Sequence, residues 1–137
     1  MMSRKFVRVR GGMIIFDFPE DIPAWEQALL KIRLKAYDIL ARKRIENEDV
    51  LNHEMRETNR REFESVFGEG SCQYTFLTDL PSLTAILEFQ EKFKYLLEDW
   101  TRKEIEEIRK SLGNREAKKM ERQWKQVKRN SIIFKKF

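Results

Sequence analysis

The sequence predicts an α+β chain that is mainly α-helical: an N-terminal β-hairpin packed on a small helical bundle, with a basic C-terminal helix. Three observations carry this. Two β-prone runs flank a Gly-Gly pair near the start, in FVRVRGGMIIFDF at residues 6–18. Long stretches after residue 24 place apolar residues at i, i+3, i+4 and i+7, the helical period. Five glycines and three prolines in 137 residues are too few for the many tight turns of an all-β sandwich. Hydrophobic residues make up 41% of the chain, so its 37% of charged residues does not imply disorder.

The elements are taken in chain order. Phe6, Val7 and Val9 lead into Gly11 and Gly12, and β-branched and aromatic residues continue to Phe18. Glycine accepts the positive φ that the primed hairpin turns need. A lone hairpin is marginal in water, so this one must pack on something. Pro19 and Pro23 end it, and Pro23 suits the first turn of a helix. From Ala24, residues Trp25, Leu29, Ile32, Ala36, Ile39 and Leu40 form one stripe, which Leu30, Leu34 and Tyr37 widen. So broad an apolar surface implies contacts on more than one side, from the hairpin or from a partner chain.

The pattern leaves open whether residues 24–67 are one helix or two. Glu46 to Asp49 is the best-marked interruption, and Asn47 can cap a fresh helix there. Val50, Leu51, Met55, Phe63, Val66 and Phe67 keep a rough helical spacing up to Gly68, a natural breaker. CQYTFLT, residues 72–78, is rich in β-formers and is expected to be a third short strand that joins the hairpin. Asp79 or Ser82 can cap the next helix. Its stripe of Leu83, Ile86, Phe89, Phe93, Leu96, Leu97 and Trp100 extends through Ile105, Ile108 and Leu112 to Gly113. Residues 114–130 read as a separate basic helix, and SIIFKKF closes the chain with an apolar patch to which the pattern assigns no role. The expected organisation is one compact domain over residues 1–113, followed by the basic helix and tail, 114–137.

Charge is unevenly spread. From Arg102 onward there are 13 Lys and Arg against 5 Glu, a balance of +8, whereas the preceding residues carry 15 against 18, or −3. A basic end on a near-neutral body suits an acidic partner, either nucleic acid or an acidic protein surface. The plain alternative is a solvated helix face, because Glu104, Glu106, Glu107, Glu116 and Glu121 interrupt the run at helical spacing. Arg115, Lys118, Lys119, Arg122, Lys125, Lys128 and Arg129 are the candidate residues for such a partner. Cys72 is the only cysteine, which fits a reducing compartment. The apolar run MIIF is too short for a signal peptide, and no run approaches a membrane span. A soluble, cytoplasmic protein with no membrane association is the expectation.

Catalytic patterns are not evident. His53 is the only histidine, placed on a polar helix, and reads as an exposed side chain. Cys72 among β-formers reads as a small buried hydrophobe. One His and one Cys leave no usual zinc set, and Glu46 to Asp49 lacks the spacing and glycine of an EF-hand loop. Gly68-Glu69-Gly70 is too short for a phosphate-binding loop, and Glu69 would repel phosphate. No catalytic residue, cofactor or metal is expected, and the chain is read as a non-enzyme.

The string FESVFGEG, a brief extended stretch and the helix LTAILEFQEKF come after an N-terminal hairpin and a helical body. The chain then ends in a basic helix opening on Asn114-Arg115. This layout resembles the small tail assembly chaperones encoded by long-tailed, siphovirus-type phages and prophages of Gram-positive bacteria. At motif level the resemblance rests on Phe67 to Gly70 and Asn114 to Lys119; elsewhere it is one of layout. It implies a phage protein without enzymatic activity, working in the host cytoplasm. Such chaperones coat the helical tape measure protein and recruit tail tube subunits, which requires apolar grooves and self-association along an extended client, hence a homo-oligomer. Trp25, Leu29, Ile32, Phe89, Phe93 and Trp100 are the candidate apolar partner-binding residues. Two other readings stay open: a nucleic-acid-binding accessory or regulatory protein using the basic helix, and a structural or inhibitory protein-interaction module of a phage or mobile element.

Overall fold

A computed structural model describes residues 3–9, 11–18 and 20–136. Pro19, expected to end the hairpin, and Phe137, the last residue of the apolar tail, lie outside them. The chain is mainly helical, with an N-terminal two-stranded antiparallel hairpin packed on helices. Strands β1 (Ser3–Val9) and β2 (Gly12–Phe18) are followed by helices α1 (Asp21–Arg42), α2 (Glu48–Phe67), α3 (Ser71–Phe76), α4 (Leu83–Leu112) and α5 (Asn114–Asn130). A single 3-10 turn over Ile132–Phe134 closes the chain.

Val9 pairs with Gly12, so the hairpin turns in two residues. The two expected glycines serve different ends. Gly11 carries the positive φ, +92°, that the tight turn requires. Gly12 has another reason to lack a side chain: a Cβ there would stand 2.1 Å from the carbonyl oxygen of Thr75. The hairpin therefore lies backbone-to-backbone on α3. Its inward residues Val7, Val9, Ile14 and Phe18 are buried. Phe18 meets Phe93 edge-on and Trp100 at a tilt, each at 5.4 Å between ring centres.

Pro23 sits in the first turn of α1, where its missing N–H would have no intrahelical partner. The interruption before α2 is real. Asn47 accepts from the backbone N–H groups of Asp49 and Val50, and two helices result. Gly68 ends α2, its N–H donating to Glu64, and Gly68 and Gly70 both hold positive φ. The Gly68-Glu69-Gly70 stretch is thus an exposed corner between helices.

The expected strand over residues 72–78 is instead α3 and the residues that close it. It occupies the expected place against the hairpin but not the expected conformation. Cys72, Thr75 and Phe76 are buried and Gln73 and Tyr74 exposed, which is the i, i+3, i+4 pattern of a helix. The Glu64 carboxylate accepts from the Cys72 N–H at 3.2 Å, supplying the cap that Gly70 has no side chain to give.

Ser82 caps α4 by accepting from the Ala85 N–H, and Asp79 is not its cap. α4 then runs 30 residues unbroken to Gly113. Gly113 ends α4 through Arg109 O and starts α5 by accepting from the Ala117 N–H, so the two helices fold back on each other about one residue. The expected boundary at 113 does not separate residues 114–136 from the core. Ser131 and Ile133 are buried, and Ile133 belongs to the same apolar cluster as Trp25 and Phe89.

Candidate functional site

The residues able to carry chemistry are scattered. His53 is exposed on α2, 3.4 Å from Glu57. Cys72 is buried, and burial first, then the nearby Glu64, push its thiol up to about 12. A thiol of that kind stays protonated at neutral pH, the opposite of what a nucleophile needs. Among the described residues no group of three or more His, Cys, Asp or Glu side chains is placed to hold a metal ion.

The candidate apolar residues are placed together, but in the interior. Trp25, Leu29, Ile32, Phe89 and Phe93 are fully buried. Trp25 is the hub: Phe89 and Phe63 meet it edge-on at 5.1 and 5.8 Å, with Phe67 at 5.7 Å and tilted. Such pairs add about 0.5–1.5 kcal/mol each beyond the area they bury. Trp100 is half-buried and packs on the same cluster. The Trp100 indole N–H has no hydrogen-bond partner among the described residues. Trp25, Leu29, Ile32, Phe89 and Phe93 are covered within the chain, which corrects their reading as a partner surface. The reason is the number of elements that converge on α1 and α4. The hairpin, α2 and the C-terminal turn all close over the stripes that sequence could not assign to a neighbour.

Exposed apolar side chains lie on the hairpin at Phe6, Met13 and Ile15, on α4 at Tyr95, and on α1, where Leu30, Leu34 and Tyr37 widened the first stripe and Leu40 was expected within it. Leu30, Leu34, Tyr37 and Leu40 face outward on α1, with Leu34 59% and Leu40 65% exposed. Leu30, Leu34 and Tyr37 have the i, i+4, i+7 spacing, so they make one continuous ridge. Its rim is charged: Lys31 approaches Glu62 at 3.7 Å, and Arg42 bonds Asp38, Glu46 and Glu54 at 2.7–2.8 Å. Lys35 also bonds Glu54. Arg42 and then Lys35 hold the Glu54 carboxyl down at about 2.

On α5 the candidate cations divide. Arg115, Lys118, Lys119, Arg122, Lys125 and Arg129 are exposed and make no ion pair among the described residues. Lys128 does not belong with them. It turns inward to Glu98 at 3.3 Å and lies over the rings of Trp124 and Phe134 at 5.8 and 5.7 Å. Of the interrupting glutamates, Glu116 and Glu121 lie on α5 itself and the other three do not. Glu104, Glu106 and Glu107 lie on α4, and Glu121 accepts from Arg109 at 2.6 Å.

One arrangement had almost no sequence signal. The Trp25 indole N–H donates to Gln90 Oε1 at 2.6 Å, and Gln90 Nε2 donates to the Ile133 carbonyl at 2.7 Å. Arg33 donates to the carbonyls of Lys135 and Lys136. A buried glutamine on an otherwise apolar face was the only hint that α4 had a polar partner to meet.

No helix of the described residues is long and apolar enough to cross a membrane. Compared with protein-family models, curated proteins and solved structures, the chain matches none of them.

Proposed function

We propose that this chain is a non-enzymatic assembly chaperone of the phage tail type, binding the tape measure protein and tail tube subunits during tail assembly. The observation that carries the reading is the outward ridge of Leu30, Leu34, Tyr37 and Leu40 on a helix whose other face is already satisfied by the core. An exposed apolar row at helical spacing, rimmed by charge, suits the apolar face of an amphipathic client helix. A long helical client supplies such faces repeatedly. The strings Phe67 to Gly70 and Asn114 to Lys119 support the same reading through the resemblance they carry.

Co-expression with the tape measure protein of the same phage or prophage tests it. The expected result is a soluble complex that co-purifies, and its loss in Leu30→Glu/Leu34→Glu with the thermal transition of the chain retained. A wild-type chain that neither binds nor solubilises the tape measure protein ends the proposal. So does a gene that lies outside a tail cluster, because a chaperone of this type is expected between the tail tube and tape measure genes.

A further inference from the structure

The outward face of α5 has a separate use: we infer that it binds the phosphate backbone of nucleic acid, without reading sequence. At about 100° per residue, eight positions fall in one arc of about 140°. They are Arg115, Lys118, Lys119, Arg122, Lys125, Gln126, Arg129 and Asn130. Six are cations and two are amides, with no carboxylate and no apolar side chain among them. Arg115 and Arg129 stand about 21 Å apart along the helix at about 1.5 Å per residue.

Like charges spaced i, i+3 and i+4 repel one another. Little relieves this: Glu121 is turned to Arg109, Glu116 makes no ion pair among the described residues although it stands at i, i+3 from Lys119, and Lys128 is the one cation taken inward. The face is also held in place. Ala117 is fully buried under it, Trp124 meets Phe134 edge-on at 5.4 Å, and Gln90 anchors the turn beyond the helix. A row of cations on an anchored helix is preorganised for an extended polyanion.

Between nucleic acid and an acidic protein, the composition of the face decides. Stable protein interfaces centre on apolar or aromatic anchors. This face has none, because its one tryptophan points the other way. Phosphate contacts need only cations, and duplex DNA presents a charge about every 1.7 Å of its axis, more than enough to engage all six. The surface is distinct from the α1 ridge, so either can fail without the other.

Fluorescence anisotropy of the full chain with a short labelled DNA duplex of mixed sequence, and with its single strand, tests the inference. Binding is expected at about 50 mM salt, and to weaken steeply toward about 200 mM. On the duplex the log–log slope should be about −3.5 to −5.5, since four to six phosphate contacts contribute about −0.9 each. Lys118→Glu/Lys119→Glu/Arg122→Glu should lose affinity at least about tenfold, as half the contacts become repulsive. Reversing Lys43, Arg44 and Lys110, which are exposed elsewhere, changes net charge equally and should cost much less. Should the reversed α5 helix fail to fold, Lys118→Gln/Lys119→Gln/Arg122→Gln keeps helix propensity and carries the test. Absence of binding at low salt overturns the inference, as does undiminished binding by the glutamine variant. Equal losses in the two reversed sets also overturn it. Poly-glutamate displacing the DNA at equal charge would instead assign the face to an acidic protein.

Discussion

Helices α1 and α5 are both amphipathic, both turn one face outward, and are anchored in opposite ways. α1 buries Trp25, Leu29, Ile32 and Ala28, so its inner face is part of the apolar core. α5 fully buries only Ala117; Trp124 is half-buried, and Met120 and Val127 remain exposed. α5 is tied at its two ends, by the turn at Gly113 and the buried Ser131 and Ile133 beyond it, and between them by the half-buried Trp124 and the pairs Arg109–Glu121 and Glu98–Lys128. It is a strap fixed at both ends across α4. The outward faces differ accordingly. An apolar ridge needs a stiff base to present a shaped surface to a client helix. A cationic row acts over a longer range through charge and tolerates looser support. Free energies of local opening should show the same division.

The largest effect is expected at the α1 anchor. Trp25→Ala empties the site at which Phe63, Phe67 and Phe89 meet, and leaves Gln90 Oε1 without its indole donor. Truncation of a fully buried tryptophan costs about 3–5 kcal/mol. Chemical denaturation should show the whole transition displaced, with amide exchange raised in α1, α2 and α4 together. A loss confined to α1 would break the comparison, because it would mean that this helix is not integral to the core.

Trp124→Ala should act on a smaller scale and a shorter segment. The residue is half-buried and its main partner is Phe134, an edge-on ring pair worth about 0.5–1.5 kcal/mol. Hydrogen exchange over residues 114–136 should accelerate while residues 83–100 keep their protection. If the variant instead lowers the global transition as far as Trp25→Ala does, α5 is an integral part of the core and not a strap.

Much of this anatomy was legible in the sequence. Asn47, Gly68, Ser82 and Gly113 mark element ends by local chemistry, a cap or a breaker, and local chemistry survives in one dimension. The core stripes of α1 and α4 were legible for the same reason, since period is a local property. Which stripe a neighbour covers is not. Trp25 and Phe89 look the same on paper whether a partner or the chain itself buries them, whereas Leu30 and Leu34, which on paper only widen the stripe, are the ones left outside. α3 shows a second limit. Six residues rich in β-formers, with buried positions at 71, 72, 75 and 76, fit a strand by propensity and a helix by period, and the deciding contact is the backbone of Gly12, some sixty residues upstream. Among the basic candidates Lys128 is the one that turns inward, and its turn depends on Glu98 of another helix, which its own spacing does not show.

The smallest expected effect concerns the far end of α1, where Arg42 and Lys35 grip Glu54 of α2. All three side chains reach solvent, and exposed ion pairs add little. The sign of their pH dependence is nevertheless definite. Glu54 has a carboxyl held at about 2 in the folded chain, below the ordinary value of about 4.3 in the unfolded one. Its contribution is therefore fully present above the ordinary value and is lost as pH falls through the folded one. Thermal melts of wild type and Glu54→Gln should differ by a small, constant amount from neutral pH down to about 5 and converge toward pH 2. A difference that grows on acidification would show that the grip on Glu54 is not what ties α1 to α2 there. The anchoring of α1 would then rest on its buried face alone, sharpening the contrast with α5, whose exposed pair Arg109–Glu121 adds to a much smaller buried face.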